Sequence, residues 1–129
     1  GLERICRGLM SAQGARGWRR LVDATSYSLA GFRACFENEE AFRQEIFGLL
    51  LFIPLGLWLG QNGLERALLV GVLLMIPLTE LFNSAIEAVV DRFGGDQHEL
   101  SGRAKDIGSA AVFLAIAMAA VVWLLVLTG

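Results

Sequence analysis

The sequence has few of the residues that build metal cages or disulfide frameworks: one histidine and two cysteines among 129 residues. His98, Cys6 and Cys35 lack zinc-ligand spacing, which excludes a structural zinc site. The two cysteines fall on the side of the membrane expected to be reducing and read as free thiols. Neither a GxxxxGK[ST] loop nor a kinase GxGxxG occurs, so any phosphate site must be built another way. No apolar core with a small-residue cleavage site follows the basic 16–20 stretch, so a secretory signal is not expected, and the absent initiator Met reads as a trimmed or partial N-terminus. Internal repeats and low-complexity tracts are missing too. Polar surface is equally scarce: 55% of the residues are apolar and the mean hydropathy is +0.56. That excludes an ordinary soluble domain and points to an integral membrane protein.

What charge there is, is segregated. Seven of the eleven basic residues, Arg4, Arg7, Arg16, Arg19, Arg20, Arg33 and Arg43, precede the first apolar run. They sit beside acids and a membrane, so nucleic acid is not an expected partner. Residues 1–17 read as a basic arm, and residues 18–129 as one membrane domain. Trp18, Leu21, Val22, Thr25, Leu29, Phe32 and Phe36 recur at helical spacing opposite Arg19, Arg20, Asp23, Ser26 and Arg33. The pattern predicts an amphipathic helix over 18–37, lying on the membrane with its aromatic side down.

Three spans follow. The apolar run 46–60 is fifteen residues long and falls short of the ~20 needed to cross a bilayer, so the first span is expected to start upstream, over 39–60. A short loop leads to a second span over 64–92, in which Pro77 removes a backbone donor one turn before Glu80. A polar loop over 93–102 leads to a third span, 104–128, where Ala111, Ala115 and Ala119 repeat every fourth residue as close-packing membrane helices do. Basic residues put the N-terminus and the 91–106 loop in the cytoplasm and the C-terminus outside.

The second span carries the anomaly. Glu80, Asn83, Ser84, Glu87 and Asp91 fall at i, i+3, i+4, i+7 and i+11, one polar stripe on one helical face. A carboxylate inside a bilayer costs roughly 2.5–3.5 kcal/mol or more, so the stripe must face a bundle interior or a wet cavity. Glu37, Glu39 and Glu40, Asp91-Arg92, Lys105-Asp106 and His98 each also fit a solvated helix end or loop. Glu80 does not, lying ~18 Å along the helix from Arg92. Segments 39–45 and 96–106 can meet the stripe at the cytoplasmic boundary. Their carboxylate-rich set suits magnesium, which takes one or two carboxylates plus substrate phosphates. Glu87 is nearer the interface, where a hydrated metal can reach it; Glu80 is about two turns deeper, where poor solvation suits a proton acceptor.

Three runs make the pattern recognisable: NEEAFRQE from Asn38 to Glu45, ELFNSAIEAVVDR from Glu80 to Arg92, and HELSGRAKDIGSAAV from His98 to Val112. From about residue 17 onward the chain closely resembles the small integral-membrane diacylglycerol kinases of bacteria. The resemblance implies an all-α homotrimer in the bacterial inner membrane, with three spans and a surface helix per subunit. It implies transfer of the ATP γ-phosphoryl group to the hydroxyl of diacylglycerol, giving phosphatidic acid, with Mg2+ as the metal. By the same resemblance Glu39 and Glu87 hold the metal and Glu80 accepts the proton. ATP contacts fall on Arg20, Tyr27, Glu39, Glu87, Asp96, Gln97, His98, Lys105 and Asp106, although Gln97 stands where an aromatic residue is expected. Substrate contacts fall on Ala24, Ser28, Arg33, Phe36, Ala41, Glu45, Glu80 and Ser109, with Asn83 and Asp91 in support. An undecaprenol kinase of the same family, an ion-conducting bundle and a membrane scaffold remain the rival readings.

Overall fold

A computed structural model describes residues 1–4, 14–94 and 98–129. Among the described residues every regular element is helical: α1 (Gly14–Asn38), α2 (Glu40–Leu59), α3 (Gly63–Arg92) and α4 (Glu99–Thr128). Three of these, α2, α3 and α4, are long and apolar enough to cross a membrane. At 1.5 Å per residue α2 spans ~30 Å, the thickness of the hydrocarbon layer, and α3 and α4 reach ~45 Å. Their polar ends therefore extend into the headgroup region. The chain divides into two units, Gly1–Ala34 and Cys35–Gly129.

Within the first unit α1 starts at Gly14, four residues ahead of the expected 18. Ala15 and Arg16 are strong helix formers, and the helix runs on through Gly17 despite that residue's low propensity. Two hydroxyls of this segment are satisfied by the helix itself: Thr25 Oγ1 donates to Leu21 O and Ser28 Oγ to Ala24 O, each at 2.8 Å. Trp18, Leu21, Val22, Leu29 and Phe32 are exposed along it.

In the second unit α3 is the central element and packs on both α2 and α4. Each turn is closed by a polar side chain reaching a helix end. Arg43 on α2 donates to the carbonyls of Phe36 (2.8 Å) and Glu37 (3.0 Å), satisfying acceptors that the end of α1 leaves open. Arg66 on α3 does the same for α2, Nε to Leu57 O at 3.1 Å. Gly60 lies so close beneath it that an added Cβ would come within 2.6 Å of Arg66 Cγ. Asn62 caps α3, its Oδ1 accepting from Glu65 N at 2.9 Å. His98 caps α4, its Nδ1 accepting from Leu100 N at 3.1 Å. That cap starts α4 at Glu99, five residues before the 104 expected from the polar composition of 99–103.

The core runs along one seam of α3: Leu69, Val72, Leu73, Pro77, Glu80 and Asn83 are buried. On α4 the buried positions are Gly108, Ala115 and Ala119. Ala111, expected to belong to the close-packing repeat, is exposed, and Gly108, one turn earlier, is buried in its place. The helices continue unbroken through Pro54 and Pro77.

Candidate active site

Burial falls steadily along the polar stripe of α3. Glu80 is 6% exposed and Asn83 8%, the two buried polar residues among those described. Ser84 and Glu87 are half-buried, and Asp91 is exposed. Glu80 therefore occupies a place in the seam that a core aliphatic would take, continuing the line of Leu69, Leu73 and Ile76.

Two helices bring further carboxylates to it. Glu45 on α2 lies beside Glu80, and its Oε2 is buried without a hydrogen-bond partner. Glu39, the extended residue preceding α2, has Glu87 as its leading charged neighbour, followed by Glu80 and Asp91. Burial first, and those negative charges after it, push the Glu39 carboxyl above its ordinary value. Asn83 Nδ2 donates to Glu87 Oε1 at 3.4 Å, orienting that carboxylate.

At the outer end of this cluster Lys105 Nζ lies 2.7 Å from Asp91 Oδ1, and Arg103 meets Glu99 at 3.8 Å. Asp106, Ser109 and Ala41 are exposed, and so is Phe36, which packs edge-on to Phe47 at 6.3 Å. His98 is committed through Nδ1 to the cap of α4. Arg20, Ala24, Tyr27, Ser28 and Arg33 belong to the first unit and are exposed on α1. Asp96 and Gln97, like Cys6, lie outside the described residues.

Sequence reading missed Cys35. It is buried, and its Sγ donates to Ser84 Oγ at 3.5 Å. Desolvation first, then the charges of Glu39, Glu80 and Glu45, raise its thiol pKa against the lowering effect of the Ser84 bond. A thiol 49 residues from its partner leaves no local pattern.

Among the described residues no three His, Cys, Asp or Glu side chains converge to hold a metal alone. The facing pair Glu39 and Glu87 is an all-oxygen, anionic donor set, and it fits a hard cation that draws its other ligands from phosphates and water.

Comparison with known proteins bears on what such a cluster does. The family model for prokaryotic diacylglycerol kinase matches residues 26–127. The chain is 47% identical over 116 residues to the diacylglycerol kinase of Escherichia coli (strain K12), covering 90% of this chain and 95% of that protein. It is 48% identical over 107 residues to the diacylglycerol kinase of Haemophilus influenzae, covering 83% and 91%. With the diacylglycerol kinase of Pseudomonas aeruginosa it shares 46% over 117 residues, covering 91% and 95%.

Proposed function

The chain belongs to the prokaryotic diacylglycerol kinase family, and we infer on that premise that its polar seam phosphorylates a lipid hydroxyl. It is a bacterial membrane protein and a kinase. In our reading the γ-phosphoryl group of ATP passes to the hydroxyl of sn-1,2-diacylglycerol, giving phosphatidic acid and ADP. The observation that carries this is Glu80: a buried carboxyl, 6% exposed, deep in α3 and two turns from the Glu39–Glu87 pair.

The depth ordering supports a division of roles. Glu80 takes the hydroxyl proton as the oxygen bonds to the γ-phosphorus and the β–γ bridge breaks toward ADP. A lipid presents that hydroxyl at the edge of the hydrocarbon, which suits a base buried in a span better than one in water. Glu45, beside Glu80, would help to fix its orientation. Glu39 and Glu87 would hold Mg2+, which when bound neutralises phosphate charge. Lys105 and Arg20 add positive charge for the phosphates, and Asp91 holds Lys105 at the rim. Tyr27, Asp96, Gln97, His98 and Asp106 complete the nucleotide contacts in this reading. Ala24, Ser28, Arg33, Phe36, Ala41 and Ser109 line the lipid side.

Segregated basic residues support an N-terminus and active site in the cytoplasm, a C-terminus outside, and insertion in the inner membrane. The half-buried carboxylate of Glu87 supports a homotrimer, since three spans alone leave the seam partly uncovered. Residues 18–37 would lie on the membrane surface, with 1–17 a basic arm.

The test is an assay of purified protein in micelles with ATP, Mg2+ and either diacylglycerol or undecaprenol. Phosphatidic acid formation is expected. Phosphorylation of undecaprenol instead would replace the acceptor; absence of any lipid phosphorylation, with ion flux in liposomes, would overturn the kinase reading.

A further inference from the structure

Asn83 carries an unusual burden for a side chain in a membrane helix. It is 8% exposed, its Nδ2 donates to Glu87 Oε1 at 3.4 Å, and its Oδ1 is buried with no hydrogen-bond partner. An unpaired buried amide oxygen costs about 1–3 kcal/mol, so something must hold the amide this way round. Charge supplies one half of the answer: only the NH2 end can face a carboxylate.

Gly108 on α4 supplies the other half. A Cβ built there would overlap Asn83 Oδ1 and would lie 3.3 Å from Asn83 Cγ and 3.8 Å from its Cα. The amide oxygen thus occupies the volume that any other residue at 108 would fill with its own side chain. Gly108 is buried, so a methyl group there has no open direction, and what it meets is a short amide close to its backbone. Its neighbours on the same helix differ: Gly102 meets nothing within 4 Å of an added Cβ. Glycine is therefore required at 108 by the amide across from it, rather than by the turn chemistry of its own helix.

We propose that Gly108 is a positioning residue for the metal-binding carboxylate: by leaving room for the Asn83 amide oxygen, it sets the amide that orients Glu87. The proposal rests on the reading that Glu87 binds the metal. Outer partners that orient ligating carboxylates typically contribute about 10–100-fold in metal affinity. A methyl at 108 displaces the amide, frees Glu87 Oε1 from its donor, and leaves the carboxylate to sample unproductive rotamers. The effect should appear in metal affinity before it appears in turnover at saturating metal.

The experiment is a double-mutant cycle on the full chain in detergent: Gly108→Ala, Asn83→Ala and the two combined. Mn2+ binding is read from loss of the free-ion electron paramagnetic resonance signal, beside the KM for Mg2+ and kcat. Gly108→Ala is expected to weaken Mn2+ binding and raise the Mg2+ KM by about tenfold, with a smaller change in kcat. Asn83→Ala should give the same loss. In the Asn83→Ala background the added methyl fills vacated space, so the double variant should fold and match Asn83→Ala within about twofold; additivity is the behaviour of unconnected sites. If Gly108→Ala alone fails to fold, Asn83→Ala and the double variant still carry the comparison: Mn2+ binding at the original strength in either overturns the proposal. Equal, additive losses from Gly108→Ala in both backgrounds also overturn it, leaving Gly108 a packing residue. Glu87→Gln separates the two readings. Retained Mn2+ binding there sinks the metal assignment itself, whereas its loss beside intact binding in Gly108→Ala and Asn83→Ala sinks only the role of Gly108.

Discussion

Lys105 on α4 meets Asp91 on α3, Nζ to Oδ1 2.7 Å, joining two helices at the rim of the carboxylate cluster. Asp91 is 61% exposed in its side chain and Lys105 26%, so water screens the pair and its stability contribution is about 0–1 kcal/mol. A contact that weak is suited to releasing its lysine. The expected outcome is that Asp91→Asn changes resistance to denaturation by no more than about 0.5 kcal/mol. Lys105→Met, by contrast, should raise the KM for ATP by about tenfold, the equivalent of ~1.4 kcal/mol of lost phosphate attraction. An unchanged KM in Lys105→Met would remove the lysine from the nucleotide site.

Glu80 separates chemistry from binding. General-base catalysis typically contributes about 10²–10⁴-fold, and Glu80→Gln retains the size and much of the hydrogen bonding of the original. Turnover in Glu80→Gln should therefore fall by about that factor while affinity for a non-hydrolysable ATP analogue stays as it was. Steady-state rates and analogue binding on the same preparation decide it. Near-normal turnover would mean that another group accepts the proton.

The burial order along α3 was legible because charge inside an apolar helix has few physical explanations and 3.6-residue periodicity puts Glu80, Asn83 and Glu87 on one face. What escaped was one local cap and several contacts between elements. The start of α4 depends on a bond from Leu100 N to the His98 ring, which the polar composition of 99–103 conceals. Ala111 fits a period-four repeat as well as Ala115 does, and only the packed helix shows that Gly108 takes the face instead, opposite Asn83. Cys35 finds Ser84 across the fold, and Arg43 and Arg66 each return to close the helix before their own. None of these pairings has a sequence spacing that announces it.

Cys35 offers a pH test. Its thiol pKa is raised, chiefly by burial and then by Glu39, Glu80 and Glu45. A raised value means less thiolate at any given pH, and the thiolate is the reactive form. Labelling of Cys35 by N-ethylmaleimide at neutral pH should thus be about tenfold or more slower than that of an exposed cysteine, and should accelerate with a midpoint above the ordinary thiol value. Ser84→Ala removes the one influence that lowers it, so the midpoint should move further up. Mass spectrometry of peptides containing Cys35, sampled across pH, reads both. Rapid labelling at neutral pH with an ordinary midpoint would show the thiol to be neither buried nor surrounded by negative charge.

At the far end of the bundle, Trp123 ties α4 to both other spans. Its Nε1 donates to Leu69 O at 3.0 Å, and its ring meets Phe52 edge-on at 5.9 Å. An added Cβ on Gly56 would lie 3.3 Å from both Trp123 Cζ2 and Leu69 Cβ. Hydrogen bonds within membranes contribute about 0.6 kcal/mol on average, so Trp123→Phe should cost about that plus lost packing. Gly56→Ala needs the indole to give by a few tenths of an ångström, and overpacking typically costs about 1–3 kcal/mol. Phenylalanine lacks the second ring carbons that the new methyl would strike. The double variant should therefore be less destabilised than the sum of the singles, by more than the ~0.5 kcal/mol within which independent sites add. Titration of the four proteins with sodium dodecyl sulfate, followed by circular dichroism, measures the cycle. Strict additivity would mean that Gly56 is needed for its contact with Leu69 alone.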